Sequence, residues 1–263
     1  MKGRFLSSGR CAEVYEWNEE HVVKVYHREF AAAAESEFQN NRVIKDLGIP
    51  SPLAESMVEV EGLTSIVFER IRGVSMLEHI LVHPSALTEM ASLLGQLHAQ
   101  VHEHPCGTLP KQGNYLRGKI ERADIDECVR AKALDALEQL PQEDKLCHGD
   151  FHLGNVMITK TSPQIIDWVD AAQGNPLADI VWTRLLLSLD NLPKDAPNRE
   201  AINSVRPILD DGYCKGYRKV RHIDEDALRP WVFPVAVARL GDGLLNEREQ
   251  LLNVIQKYDS NAG

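Results

Sequence analysis

The 263 residues carry 39 acidic against 29 basic side chains, a formal net charge of -10 at pH 7. That balance argues against a general nucleic-acid binder and is compatible with a cationic substrate. Hydrophobic residues at 43% and charged residues at 26% exclude a disordered chain and suit a globular protein large enough for two lobes. The five cysteines, Cys11, Cys106, Cys128, Cys147 and Cys214, are scattered and contain no Cys-x-x-Cys pair. This spacing speaks against structural zinc and a disulfide framework and fits a reducing cytoplasm. No apolar run of signal-peptide length follows Met1-Lys2-Gly3-Arg4, and Leu185-Leu186-Leu187 is soon interrupted by Asp190, so no membrane span is expected. There is no internal repeat, and no signal for an oligomeric state.

From the N-terminus, Phe5 to Gly9 leading into Cys11 to Trp17 reads as strand, turn, strand, and His21 to His27 as the next strand after the turn Asn18-Glu19-Glu20. Lys24 lies inside Val22-Val23-Lys24-Val25-Tyr26. A lysine in so apolar a strand either faces solvent or has a partner, because an unpaired buried charge is costly. Ala31 to Leu47 predicts a helix, ended by Gly48, Pro50 and Pro52. Met57 to Val60 and Ser65 to Glu69 predict two strands joined at Glu61-Gly62, running into Arg70-Ile71-Arg72-Gly73. After Gly73 the pattern turns helical, with Leu87, Met90, Ala91, Leu94, Leu97 and Val101 at helical spacing. His98 and His102, one turn apart, could bind a metal, but no acidic or cysteine partner is evident nearby in sequence, which favours packing or capping.

The chemistry concentrates in Cys147-His148-Gly149-Asp150-Phe151-His152-Leu153-Gly154-Asn155 and in Ile165-Ile166-Asp167-Trp168. Val156 to Thr159, the turn Lys160 to Pro163 and Gln164 to Ile166 predict an antiparallel hairpin. Such a hairpin sets Asn155 and Asp167 side by side, with Asp150 just outside them. Asn155 and Asp167 then offer oxygens to Mg2+, a hard cation, and Asp150 can orient an acceptor hydroxyl and take its proton. Two other readings exist: His148-x-Asp150-x-His152 as a fragment of a metal hydrolase, or Asp and Asn as turn-formers and caps. Neither explains the spacing to Asp167.

The His-x-Asp-x-x-x-x-Asn pattern followed by an Asp after an apolar strand is the protein-kinase catalytic set. The wording His148-Gly149-Asp150-Phe151-His152-x-x-Asn155 and Ile166-Asp167-Trp168 resembles the aminoglycoside phosphotransferase and choline kinase family of the protein-kinase-like superfamily. The resemblance implies an α+β, protein-kinase-like bilobal fold: a small antiparallel-sheet lobe with one helix over residues 1–70, which binds nucleotide, and a larger helical lobe over 71–263 for catalysis and acceptor binding. It implies Gly9 in a turn over the phosphates, Lys24 as the third-strand lysine that grips them, and Glu69 to Ile71 as backbone partners of the adenine. The kinase scheme also needs a helical glutamate paired with the lysine. Glu35 and Glu37 are the candidates, and the distance to Gly48-Ile49-Pro50-Ser51-Pro52 selects Glu37.

Beyond the hairpin, Gly174-Asn175-Pro176-Leu177-Ala178-Asp179-Ile180 resembles a family segment whose Asp braces the catalytic loop or caps a helix. Asp170 is a candidate support for the metal. Val169 stands where the protein-kinase motif has Gly, and no Ala-Pro-Glu follows. The reading is therefore an ATP- or GTP-dependent, Mg2+-requiring phosphotransferase acting on a hydroxyl of a small molecule. The resemblance, to a branch whose acceptors are often cationic, puts an antibiotic-like cationic acceptor first, and Asp190, Asp195, Asp210, Asp211, Asp224, Glu225, Asp226, Asp242 and Glu247 fall in the region where that family builds its acceptor pocket. A kinase for choline, an amino alcohol or a sugar, a protein kinase, and a nucleotide-binding regulator without turnover are the alternatives.

Overall fold

The computed structural model describes residues 2–190 and 199–259. In chain order the strands are β1 (Phe5–Ser8), β2 (Ala12–Glu16), β3 (His21–Tyr26), β4 (Ala54–Val60), β5 (Leu63–Glu69), β6 (Gly73–Ser75), β7 (Lys145–Cys147), β8 (Val156–Thr159), β9 (Gln164–Ile165) and β10 (Ala172–Gly174). The helices are α1 (Ala31–Asp46), α2 (Met76–Val82), α3 (Leu87–Val101), α4 (Gln112–Arg122), α5 (Glu127–Gln139), α6 (Pro176–Ser188), α7 (Arg199–Tyr217), α8 (Glu225–Leu240) and α9 (Arg248–Asp259). This is the α+β arrangement that the resemblance implies: an antiparallel sheet with one long helix, then a mainly helical remainder. By contacts the chain divides into two compact units, one of residues 1–82 and 153–171, the other of 83–152 and 172–263.

In the first unit the sheet runs β1-β2-β3-β5-β4, with β3 central. Strand alternation sorts its side chains. Val23 and Val25 of β3 join Val60 and Val67 in one apolar cluster, whereas Tyr26 joins Ala12, Ile66 and Phe68 in another that also holds Ala34 of α1. Lys24 shares parity with Tyr26, so it points to the α1 side. Buried Asn41 ties α1 to the start of β4, its Oδ1 accepting from Ala54 N at 2.7 Å and its Nδ2 donating to Pro52 O at 2.9 Å. The predicted hairpin forms, with Val156 opposite Ile165 and Met157 opposite Gln164. The chain after Glu69 does not go straight into helix: β6 first pairs with β8, Gly73 facing Thr159, and makes the hairpin a three-stranded sheet.

In the second unit α3 and α7 lie backbone to backbone. A Cβ built on Gly95 would come 2.0 Å from Tyr213 O, and one on Gly216 1.9 Å from Ser92 O. Only glycine permits that approach. The strands β7 and β10 pair antiparallel, Cys147 facing Ala172, and present the segment that follows Cys147.

Candidate active site

Each compact unit carries its own part of the residues singled out from sequence. In the first, Lys24 Nζ donates to Glu37 Oε2 at 2.8 Å and to Asp167 Oδ1 at 2.9 Å. The Tyr26 hydroxyl donates to the same Glu37 oxygen. Glu35 lies on the exposed side of α1, accepting from Gln39 Nε2 at 2.9 Å. Burial alone would lower the Lys24 pKa, but the charges of Asp167 and Glu37 outweigh it and hold the ammonium above its ordinary value. Burial pushes the Glu37 carboxyl up to about 7, against the pull of Lys24.

Asn155 and Asp167 sit at the open end of the hairpin, away from its turn, where Ile166 N donates to Asn155 O at 3.0 Å. Asp167 takes a left-handed backbone, φ 66°, which an Asp tolerates better than most residues. Two devices hold that turn. Trp168 is buried with its Nε1 donating to Ile165 O at 3.2 Å, and Asn40 of α1 donates to Trp168 O at 2.9 Å and Val169 O at 3.1 Å. The turn is thus held without the glycine of the protein-kinase motif. Asn40 was not visible from sequence, since its carbonyl partners lie 128 and 129 positions away.

The remaining first-unit residues are placed more plainly. Gly9 closes the β1–β2 turn, its N donating to Ala12 O at 2.8 Å, and an added Cβ would meet only ordinary contact at 3.8 Å. Glu69 ends β5, with its carboxylate accepting from Leu53 N at 2.8 Å. Ile71 follows in the half-buried connection to β6.

In the second unit Asp150 lies on the loop after β7, a third exposed like its neighbour His152. Gly149 takes φ 81°, a turn conformation that favours glycine. Asp179, at the start of α6, braces this loop: its Oδ2 accepts from His148 N at 2.6 Å and its Oδ1 from Gly149 N at 3.0 Å. The brace is itself held. His98 Nε2 and His102 Nε2 contact Asp179 Oδ2 at 3.0 and 3.2 Å, while their Nδ1 atoms meet Tyr213 and Tyr217 hydroxyls at 2.8 Å each. A carboxylate can only accept, so both imidazoles carry the proton on Nε2 and accept from tyrosine on Nδ1. His98, His102 and Asp179 have ligand atoms close enough to suggest a metal, but these hydrogen bonds already use them. The histidines pack as expected, yet the reason offered from sequence is corrected: they do have an acidic partner, 81 and 77 positions away. Phe151 completes the loop's packing, stacked on His98 at 4.2 Å and edge-on to His148.

This buried network predicts a pH dependence of stability. Burial, then the neighbouring His102, lowers the His98 pKa to about 4 against the pull of Asp179, and His102 is lowered as well. The unfolded chain takes up these protons below about 6.5 while the folded chain does not. Stability is therefore present above that pH and lost as pH falls towards 4, by about 3 kcal/mol for His98 alone. Denaturant titrations from pH 7 to 4.5 should show the loss, with a shallower slope in His98→Gln; an unchanged slope in that variant would reject this account.

The acidic residues of the last third, expected in the pocket wall, are engaged by neighbouring groups. Asp195 lies outside the described residues. The rest have local partners: Asp190 with Arg199, Asp210 and Glu225 with Arg184, Asp211 with Lys215, Asp226 with Arg229, Asp242 with Lys119 and Arg239, and Glu247 with Arg239. Asp224 caps α8, accepting from Asp226 N and Ala227 N. Their charge is largely answered where it arises and leaves little to draw in a distant cation.

Among the described residues no helix is long and apolar enough to cross a membrane. Curated proteins offer no sequence match. Solved structures do match the fold: amicoumacin kinase hAmiN in complex with AMP-PNP, Ca2+ and Ami (14% identity, 99% of this chain and 90% of that one, TM-score 0.65). So do aminoglycoside phosphotransferase APH(4)-Ia, a thermostable mutant in ternary complex with AMP-PNP and hygromycin B (17%, 97% and 91%, TM-score 0.63), and the GDP and kanamycin complex of APH(2")-IIia (15%, 98% and 93%, TM-score 0.58). The sequence matches the phosphotransferase enzyme family over residues 2–231, well over half of its length, and so the chain belongs to that family.

Proposed function

We propose that this phosphotransferase moves the γ-phosphoryl group of ATP or GTP to a hydroxyl of a small molecule, with a cationic, aminoglycoside-like compound as the leading acceptor. The observation that carries the reading is Lys24, whose ammonium bridges Glu37 and Asp167. Phosphoryl transfer asks for charge neutralisation and in-line positioning more than covalent help. A lysine held cationic by two carboxylates supplies the first, and Glu37 with Tyr26 fixes where it points. The Gly9 turn would cover the phosphates, and backbone groups from Glu69 to Ile71 would bind the base.

The donor set at the hairpin end fits Mg2+: a carboxylate and a side-chain amide oxygen, both hard ligands, from the two neighbouring ends of one hairpin. Asp167 and Asn155 would hold the ion, with Asp170 as a nearby support, and bound there it would neutralise charge on the phosphate oxygens. Asp150 receives the hydrogen bond of the acceptor hydroxyl. As that oxygen bonds to the γ-phosphorus, the bond to the bridging oxygen breaks. Its electron pair leaves on the nucleoside diphosphate, and the hydroxyl proton passes to Asp150. Burial would raise the Asp150 pKa, but His152, Arg239 and His148 together hold it well below the usual carboxylate range. Asp150 is thus ionised and ready to accept, yet a weak base that takes the proton late, once bonding to phosphorus has made the hydroxyl acidic.

The acceptor class draws support from the neighbours' ligands, hygromycin B and kanamycin, and no longer from the acidic surface. We place the activity in the cytoplasm, where the five free thiols stay reduced.

A panel of aminoglycosides, choline-like amino alcohols, neutral sugars and a generic protein, with coupled detection of nucleoside diphosphate, tests the reading. Turnover with a cationic hydroxylated compound is expected; a sugar or protein acceptor alone would overturn the acceptor class, and no Mg-nucleotide turnover with any compound or with water would overturn the whole. Lys24→Ala should cut kcat/KM for nucleotide by about 10²–10³-fold while acceptor binding, read by calorimetry, is kept. Normal nucleotide kinetics in a folded Lys24→Ala protein would remove Lys24 from the site.

A further inference from the structure

We propose that His152 is a positioning residue for Asp150, donating from Nε2 to Asp150 Oδ2 so that the other carboxylate oxygen is aimed at the acceptor hydroxyl. The proposal deepens the reading above and rests on Asp150 as the group that receives that hydroxyl.

The geometry is local. His152 Nε2 stands 3.4 Å from Asp150 Oδ2, and the two side chains are 35% and 33% exposed. Both are therefore within reach of a small molecule, unlike the fully buried His98 and His102. An ionised carboxylate has acceptor sites only, so an attractive contact requires the proton on Nε2. At 3.4 Å the contact is longer than a direct hydrogen bond, as such bonds often are before substrate arrives, tightening in the complex.

Three groups pull the Asp150 carboxyl down: His152, Arg239 and His148. Two of them are committed elsewhere. Arg239 forks onto Glu247 at 2.8 and 2.7 Å and reaches Asp242 at 3.2 Å. His148 Nδ1 accepts from the backbone N of Asp150 at 3.2 Å, which sets the loop rather than the carboxylate. For His152 the contact is with the carboxylate itself, Nε2 to Oδ2. The loop backbone is also independent of this contact, since Asp179 holds His148 N and Gly149 N. His152 can therefore act on the rotamer of Asp150 without carrying the fold of the loop.

The position of the donor atom makes the test specific. The amide nitrogen of Gln lies where His has Nε2, and that of Asn lies where His has Nδ1. His152→Ala and His152→Asn should lose about 10–100-fold in kcat, the usual cost of removing a group that orients a functional side chain, with nucleotide KM within about twofold. His152→Gln should recover most of the loss. Equal losses in Gln and Asn variants, or a loss that appears mainly in nucleotide KM, would overturn the proposal and favour direct contact of His152 with the transferred phosphoryl group. Turnover is read both with the acceptor panel and as hydrolysis of Mg-nucleotide by water. A parent protein inactive in both would count against the proposed function and not against the pair. The pair then has its own readout: 15N-histidine spectra, with His152 identified by its loss in His152→Gln. Its ring should show a protonated Nε2, and its shifts should move in Asp150→Ala. A ring protonated only on Nδ1, or indifferent to Asp150→Ala, would overturn the proposal without any activity measurement.

Discussion

Asp150→Asn is expected to fold, to bind Mg-nucleotide as the parent does and to lose about 10²–10⁴-fold in turnover. The fold is expected to survive because the loop does not hang on this side chain. Asp179 holds the amides of His148 and Gly149, Phe151 is packed on His98, and the Asp150 backbone N bonds to His148 Nδ1. Asn keeps the volume and one carbonyl oxygen that His152 can still address. It lacks the second anionic oxygen that receives the hydroxyl proton. The loss should therefore fall on kcat, with nucleotide affinity from equilibrium titration unchanged. Near-normal turnover of a homogeneous Asp150→Asn preparation would show that another group takes the proton.

The parts of this protein that were legible in sequence are those fixed by short-range rules. The hairpin of β8 and β9 follows from two apolar arms and a Pro-containing turn, and it alone brings Asn155 beside Ile166 and Asp167. The alternation around Lys24 places it on a sheet, and the Gly and Pro residues after Asp46 end α1 where expected. Parts that depend on distant pairing were not legible. The strand β6 has only three residues and owes its existence to β8, more than eighty positions on. The pair β7–β10 is equally short. The clamp from Asn40 and the tyrosine partners of His98 and His102 link residues 115 to 129 positions apart. One signal could have found the last: His98/His102 and Tyr213/Tyr217 share a four-residue spacing, each on a helix with a glycine on the facing side. Two matched polar pairs beside glycines mark helices that meet closely and must satisfy buried polar groups.

The acidic residues of the last third mark another limit of reading charge from sequence. Charge counted along a sequence ignores pairing, and Asp210, Asp242 and Glu247 find Arg184, Lys119 and Arg239 at sequence distances that composition does not register. The carboxylates of Asp242 and Glu247 are only 8% and 2% exposed, so their first role is to answer the buried cations of α4 and α8.

Asp167→Ala is expected to abolish Mg-dependent nucleotide binding. Asp167 holds two places at once: one oxygen accepts from Lys24, and its position at the hairpin end beside Asn155 suits a hard cation. Removing it takes away a proposed metal ligand and half of the anionic frame of Lys24, leaving Glu37 as the partner. Loss of one such charge-stabilising group costs about 10²–10³-fold, and here two functions go with it. Backbone strain is a competing cause, because Asp167 sits at φ 66° and Ala is less at ease there than Asp or Asn. Asp167→Asn separates the two causes: it keeps a residue suited to the left-handed turn and removes the charge. If charge matters, Asn fails with Ala; if strain matters, Asn behaves as the parent. Asn155→Ala, by contrast, removes a neutral ligand and should raise the Mg2+ concentration needed without abolishing binding. The measurement is nucleotide binding titrated at several Mg2+ concentrations for the parent and the three variants. Metal dependence unchanged in both Asp167→Asn and Asn155→Ala would reject the hairpin end as the metal site and leave Lys24 paired to Asp167 for structural reasons only.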